Sequence, residues 1–113
     1  MDNYWAEPDR GEANRVFAAL ADPTRRAVVH RLGAGPGTVS ELARDFPIAL
    51  PSFMKHLRVL ETSGLIRTRK TGRVRSCELN RERLALVDDW LAAQRRSWEA
   101  HTDRLQAFTE ERP

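Results

Sequence analysis

From residue 84 onward the apolar residues return every seventh position, a pattern that only a long helix with a partner can use. Leu84, Leu91, Trp98 and Leu105 form one column, and Val87, Gln94, His101 and Phe108 form the second. Wound into a helix, the two columns lie side by side and make a seam that has to be covered. Asn80 is placed to cap this helix, whose expected length of about 28 residues is well above the globular average. No other segment of the 113-residue chain is long enough to pack along it. The covering surface is therefore expected to belong to a second copy of the same chain.

The remainder reads as short elements separated by breakers. Residues 1–11, with Pro8 and Gly11 and no apolar period, read as a tail, and residues 12–110 read as one domain. Ala13, Val16, Phe17 and Leu20 recur at the i, i+3, i+4, i+7 spacing of an amphipathic helix. Asp22 and Pro23 open a second helix, the first as an acceptor for free N–H groups and the second because it has no N–H to lose. That helix buries Val28 and Leu32 and ends at Gly33-Ala34-Gly35-Pro36-Gly37. Thr38-Val39-Ser40-Glu41 is a capping box, and Val39, Leu42, Ala43 and Phe46 give a third helix its apolar stripe up to Pro47. Pro51 opens a fourth helix that runs to Ser63 and stops at Gly64, a residue suited to the left-handed position after a helix.

Beyond Gly64 the period shortens. Leu65–Arg69 and Arg73–Leu79 read as strands around Lys70-Thr71-Gly72, so a hairpin is expected with Gly72 in its turn. The expected fold is mainly α with a small β-hairpin: a helix-turn-helix, a wing at 65–79, and a long C-terminal helix in a dimer interface.

Charge is unevenly placed. Residues 51–80 carry seven cations (Lys55, Arg58, Arg67, Arg69, Lys70, Arg73, Arg75) and two carboxylates (Glu61, Glu78), while residues 1–50 and 81–113 each have a net charge of −1. One basic element on a nearly neutral chain is the footprint of a surface that meets nucleic acid, or less often an anionic membrane. On the fourth helix Phe53, Leu57 and Leu60 fall in one narrow arc that faces the core. Pro51, Ser52, Lys55, Arg58 and Thr62 lie opposite, slim at the start of the helix and positive along it, as a helix in a major groove requires. An ordinary solvated face has a similar composition, so the helix alone does not separate the two readings.

The hairpin separates them. Arg67, Arg69, Lys70, Arg73 and Arg75 crowd into nine residues without a carboxylate, which is self-repelling unless an anion meets them. Arg69, Lys70, Arg73 and Arg75 are accordingly expected to clamp DNA backbone or a minor groove. Ser52, Lys55 and Arg58 are expected to read the major groove, with Met54 offering an apolar contact to a thymine methyl. Ser40 and Pro51 complete the expected DNA-contact set, together with His56, which either donates to a phosphate or packs beneath the recognition helix. A membrane reading needs exposed apolar residues beside the cations, and those of the hairpin are expected in the core.

Other classes are excluded by what the sequence lacks. Cys77 is the only cysteine, which rules out an internal disulfide and a cysteine-built structural zinc site. It reads as a half-buried small residue, with oxidation favoured by its arginine neighbours as the alternative. No apolar run approaches the roughly 18 residues that span a bilayer. The first five residues lack the parts of a signal peptide, so a cytosolic protein is expected. There is no nucleophile turn with a triad, no Gly-rich phosphate loop and no carboxylate pair in an apolar setting, so neither an enzyme nor a bound cofactor is expected. His30 reads as a surface residue. Trp90 and Trp98 read as seam contacts, with the lining of an organic ligand pocket as the alternative. Tyr4 and Trp5 are unusual in a tail and suit packing on a partner subunit.

The run Phe17-Ala18-Ala19-Leu20-Ala21-Asp22-Pro23-Thr24-Arg25-Arg26, then Ser40-Glu41-Leu42-Ala43, then Pro51-Ser52-Phe53-Met54-Lys55-His56-Leu57-Arg58-Val59-Leu60-Glu61-Thr62-Ser63-Gly64-Leu65-Ile66 resembles the ArsR/SmtB (arsenic-repressor-like) winged-helix regulators. Lys70-Thr71-Gly72-Arg73 and residues 74–79 match the wing, and the resemblance covers nearly everything from 13 to 110. It implies a homodimer joined through the first and last helices, here through Val16, Phe17, Leu84, Val87, Leu91, Trp98, His101, Leu105 and Phe108. It also implies a palindromic operator on double-stranded DNA and repression by blocking polymerase.

Metal sensing in this family commonly uses a Cys-x-Cys pair on the helix that holds Ser40-Glu41-Leu42-Ala43, and no cysteine stands there. The family's other site, on the last helix, would here use Asp88 and His101, with Trp90 and Arg104 standing where two more ligands belong. A cation in a ligand position opposes zinc, so no metal is expected. A metal-responsive repressor and a winged-helix module that docks an acidic protein partner are the alternatives to an operator-binding repressor.

Overall fold

The computed structural model describes the backbone of residues 8–110, with side chains from 11 to 107. The elements are α1 (Pro8–Leu20), α2 (Pro23–Leu32), β1 (Gly37–Thr38), α3 (Val39–Arg44), α4 (Leu50–Thr62), β2 (Ile66–Thr71), β3 (Val74–Leu79) and α5 (Arg81–Glu110). α1 begins inside the stretch read as a tail, because a proline in the first turn of a helix loses no hydrogen bond and so permits helix there. Tyr4, Trp5 and the Phe108 side chain lie outside the described residues.

The run from Ala21 to Arg26 is the joint between the first two helices. Asp22 accepts the Arg25 N–H at 3.1 Å and caps α2, with Pro23 in the first turn. The two arginines reach back to carbonyls at the end of α1: Arg25 donates to the Ala19 oxygen at 2.7 Å and to the Ala18 oxygen at 3.2 Å, the latter also accepting the Ala21 N–H, and Arg26 donates to that of Leu20 at 2.8 Å. The Arg25 N–H holds the Asp22 carboxyl below its ordinary value. The cap is therefore complete above the usual carboxylate range and fades only as pH falls through the lowered value.

The sheet has three antiparallel strands in the order β1-β3-β2, one more than the hairpin read from the sequence. β1 spans only Gly37 and Thr38, paired with Cys77 and Ser76, and is too short to show a period. Its position has a consequence for the site. Thr38 pairs with β3 and also caps α3, accepting the Glu41 N–H at 3.1 Å, so the first helix of the helix-turn-helix is fixed to the wing. Gly64 and Gly72 adopt φ of 84° and 62°, the left-handed conformation that ends α4 and turns the hairpin. Asn80 does not cap α5 with its side chain as expected. Its amide donates to the Gly64 carbonyl at 3.0 Å, and Arg83 donates to that of Ser63 at 3.0 Å, so the start of α5 is tied to the end of α4.

The core sits where the helices meet the sheet. Phe53, Leu57 and Leu60 of α4 face inward as their spacing predicts, against Val28 and Leu32 of α2, Leu42 of α3 and Cys77 of β3. Val16, placed at the dimer interface from the sequence, is wholly buried in this core and is out of reach of a partner. Leu84, Leu86 and Val87 pack against the same cluster. Beyond them α5 runs clear of the domain: the Cα radius of gyration is 19.6 Å and the extents are 73 × 31 × 22 Å, against about 13 Å expected for a compact chain near this length. No helix among the described residues is long and apolar enough to cross a membrane.

Candidate nucleic-acid interface

α4 exposes Pro51, Ser52, Lys55 and Arg58, with Met54 half-buried between them. No side chain caps its N-terminus and no acidic residue stands in its first turn. Its first N–H groups are thus left to an outside acceptor. Next to it a hollow of about 440 Å³ is lined by Thr38, Val39, Ser40, Met54, Arg73, Val74 and Arg75. The start of α3, the exposed side of α4 and the wing therefore converge, and of the sequence-predicted contacts this hollow gathers Ser40, Met54, Arg73 and Arg75.

The register of the hairpin sharpens the charge argument. Lys70 stands directly across from Arg75, a like-charge pair that works against the hairpin, whereas Arg67 stands across from Glu78. Arg75 leans back toward α4: it donates to the Thr68 hydroxyl at 3.2 Å, and that hydroxyl donates to the Glu61 carboxylate. Glu61, given no role in the sequence reading, anchors both wing strands to α4; the available signal was that it is the one carboxylate on this helix. Arg69, Lys70 and Arg73 remain exposed, with no carboxylate partner among the described residues.

His56 packs at the joint between the helices. Its Nδ1 is 3.1 Å from the Arg25 guanidinium, which donates to it, and 3.7 Å from the Asp22 carboxylate. The ring sits between α4 and the α1–α2 joint and faces inward. Arg25 was not singled out from the sequence, although it joins α1, α2 and α4 at one point.

Cys77 is buried on the central strand at 1% exposure, deeper than expected. Burial, and then the Glu61 carboxylate, push its thiol up, outweighing the opposite pull of Arg75. The thiol therefore stays protonated at neutral pH. Iodoacetamide at pH 7 is expected to leave Cys77 unmodified in the native protein and to alkylate it in urea, as followed by intact mass. Rapid native labelling would show the strand to be open.

The seam of α5 divides in two. Its proximal part turns into the chain: Leu84 and Val87 join the core, and Trp90 meets Phe17 edge-on at 5.4 Å and 77°. Its distal part is more exposed, Leu91 by 37% and Trp98 by 59%. His101 is exposed there too. Among the described residues no three His, Cys, Asp or Glu side chains gather as a metal site would require.

A short α3, a capless basic α4 and a cationic hairpin that share one face define a winged helix-turn-helix of the DNA-binding kind. A helix-turn-helix domain family matches residues 20–69. The HTH-type transcriptional regulator Rv2034 of Mycobacterium tuberculosis is 47% identical over 74 residues, which cover 66% of this chain and 69% of that protein. The transcriptional repressor SdpR of Bacillus subtilis is 33% identical over 78 residues, 69% of this chain and 87% of that protein. The crystal structure of the ArsR family transcriptional regulator RHA00566 superimposes with a TM-score of 0.76 at 58% identity, covering 79% of this chain and 92% of that one. The chain belongs to the ArsR family of winged-helix transcriptional regulators.

Proposed function

We propose that the protein acts in the cytoplasm as a homodimeric repressor on a palindromic operator, with α4 in the major groove and the hairpin on the flanking backbone or minor groove. One observation carries this reading: Ser52, Lys55 and Arg58 on α4, and Arg69, Lys70 and Arg73 on the wing, form an exposed basic face free of carboxylate partners among the described residues. The exposed apolar side chains of Leu91 and Trp98 on distal α5 support the dimer, and the repressor among the relatives supports the direction of control. Two α4 helices so joined would meet half-sites roughly 34 Å apart or a multiple of that.

Selection of DNA from a random library by the full chain tests it directly. A palindromic consensus is expected, and Lys55→Ala or Arg58→Ala should alter preference at particular base pairs. Arg73→Ala should instead weaken binding to all sequences alike and lower the salt slope by about one. No enrichment over bulk DNA would favour an interaction module whose basic face docks an acidic protein.

A further inference from the structure

Beside the DNA face, α1 and α4 leave between them an open groove of about 550 Å³. On α4 it is lined by Lys55, Arg58, Val59 and Thr62, a row at i, i+3, i+4 and i+7, and on α1 by Arg15 and Ala18 at i and i+3. It is thus the valley between two crossing helices. Ala18 and Val59 make its apolar part, with Thr62 and Ser63 at one end, and Val59 is 39% exposed on a helix face that is otherwise polar. Its flanks are cationic. No carboxylate lines it, and Arg15, Lys55 and Arg58 have no ion-pair partner among the described residues. The volume lies within the range of small-molecule sites.

An apolar floor between unpaired guanidinium and ammonium groups complements a molecule with an apolar body and one anionic end. We propose that this groove binds a medium-chain carboxylate, its chain along Ala18, Val59 and Thr62 and its head between Arg15 and the Lys55–Arg58 pair. A planar carboxylate suits an arginine fork. Lys55 and Arg58 cannot serve this head and DNA together, so occupancy releases the operator. The release rests on the function proposed above; the binding does not.

The probe is decanoate, kept below its micellar concentration, with decylamine as the same chain carrying the opposite charge. Titrated into the ¹⁵N-labelled full chain, decanoate should give saturable amide shifts around residues 15–18 and 55–62, and decylamine none. At saturation, decanoate should weaken binding to the selected DNA about tenfold, the scale of losing charge-assisted hydrogen bonds. Arg15→Gln, which removes a flank, and Ala18→Leu, which fills the floor, should keep DNA affinity without decanoate and lose most of the response. The absence of saturable shifts in the groove, equal shifts with decylamine, or variants that respond like the parent would overturn the site. Binding in the groove with unchanged DNA affinity would overturn the release. If the chain selects no DNA, the repressor reading falls while the amide shifts still decide the groove.

Discussion

Trp98→Glu is expected to dissociate the proposed dimer and to weaken operator binding by about a hundredfold or more, the scale on which joining two binding modules raises avidity. Trp98 is 59% exposed on the part of α5 that leaves the domain. In a two-fold interface each residue meets the same patch on the partner, so one substitution places two carboxylates on the apolar seam. Each must be desolvated or the seam must open. The monomer should still fold, because the core lies elsewhere, around Phe53 and Leu60. Sedimentation equilibrium at micromolar protein should show a monomer with native circular dichroism apart from the distal helix. Fluorescence anisotropy should then show binding that no longer distinguishes a full palindrome from a single half-site. Trp98→Phe keeps the apolar surface and should remain dimeric. A Trp98→Glu protein that stays dimeric at the parent's concentration would place the interface on another surface.

The elements were legible in the sequence wherever a single physical signal was strong. Phe53, Leu57 and Leu60 repeat at helical spacing, and they are the buried face of α4. Asp22 and Thr38 are N-caps by residue type, and both accept the expected N–H. What was not legible depends on contacts between distant segments. β1 is two residues long and exists because β3 has an open edge beside it. The seam of α5 has one period along its length, yet its proximal residues meet this chain's core while Leu91 and Trp98 are exposed; periodicity marks an apolar side without saying what covers it. Val16 shows the same ambiguity on α1, where one stripe serves both the core and the neighbouring helix. Side chains that bond across the sequence were the least legible. Arg25 to His56, Glu61 to Thr68 and Asn80 to Gly64 all join segments that no local pattern relates.

Phe53→Ala should destabilise the domain by about 3–5 kcal/mol, the usual loss for removing a buried phenyl ring. Phe53 is 1% exposed, and its ring lies 5.3 Å from that of Phe46 at a tilt of 32°, so it fills the space between the end of α3 and the start of α4. No neighbour can relax into the gap easily, since Leu42, Leu57 and Leu60 are themselves held at 0–3% exposure by the rest of the core. A domain of this size is stable by about 5–15 kcal/mol in all, so the loss is a large fraction of the whole. Urea denaturation, at a fixed protein concentration because the proposed dimer would add its own stability, should show a lower midpoint at an unchanged slope. A change below about 1 kcal/mol would mean that the ring does not hold the two helices together. The exposed neighbour Ser52→Ala should leave stability within about 0.5 kcal/mol while altering DNA preference. Adjacent positions on one helix would then separate the two jobs of α4, one side setting the angle of the helix-turn-helix and the other reading the groove.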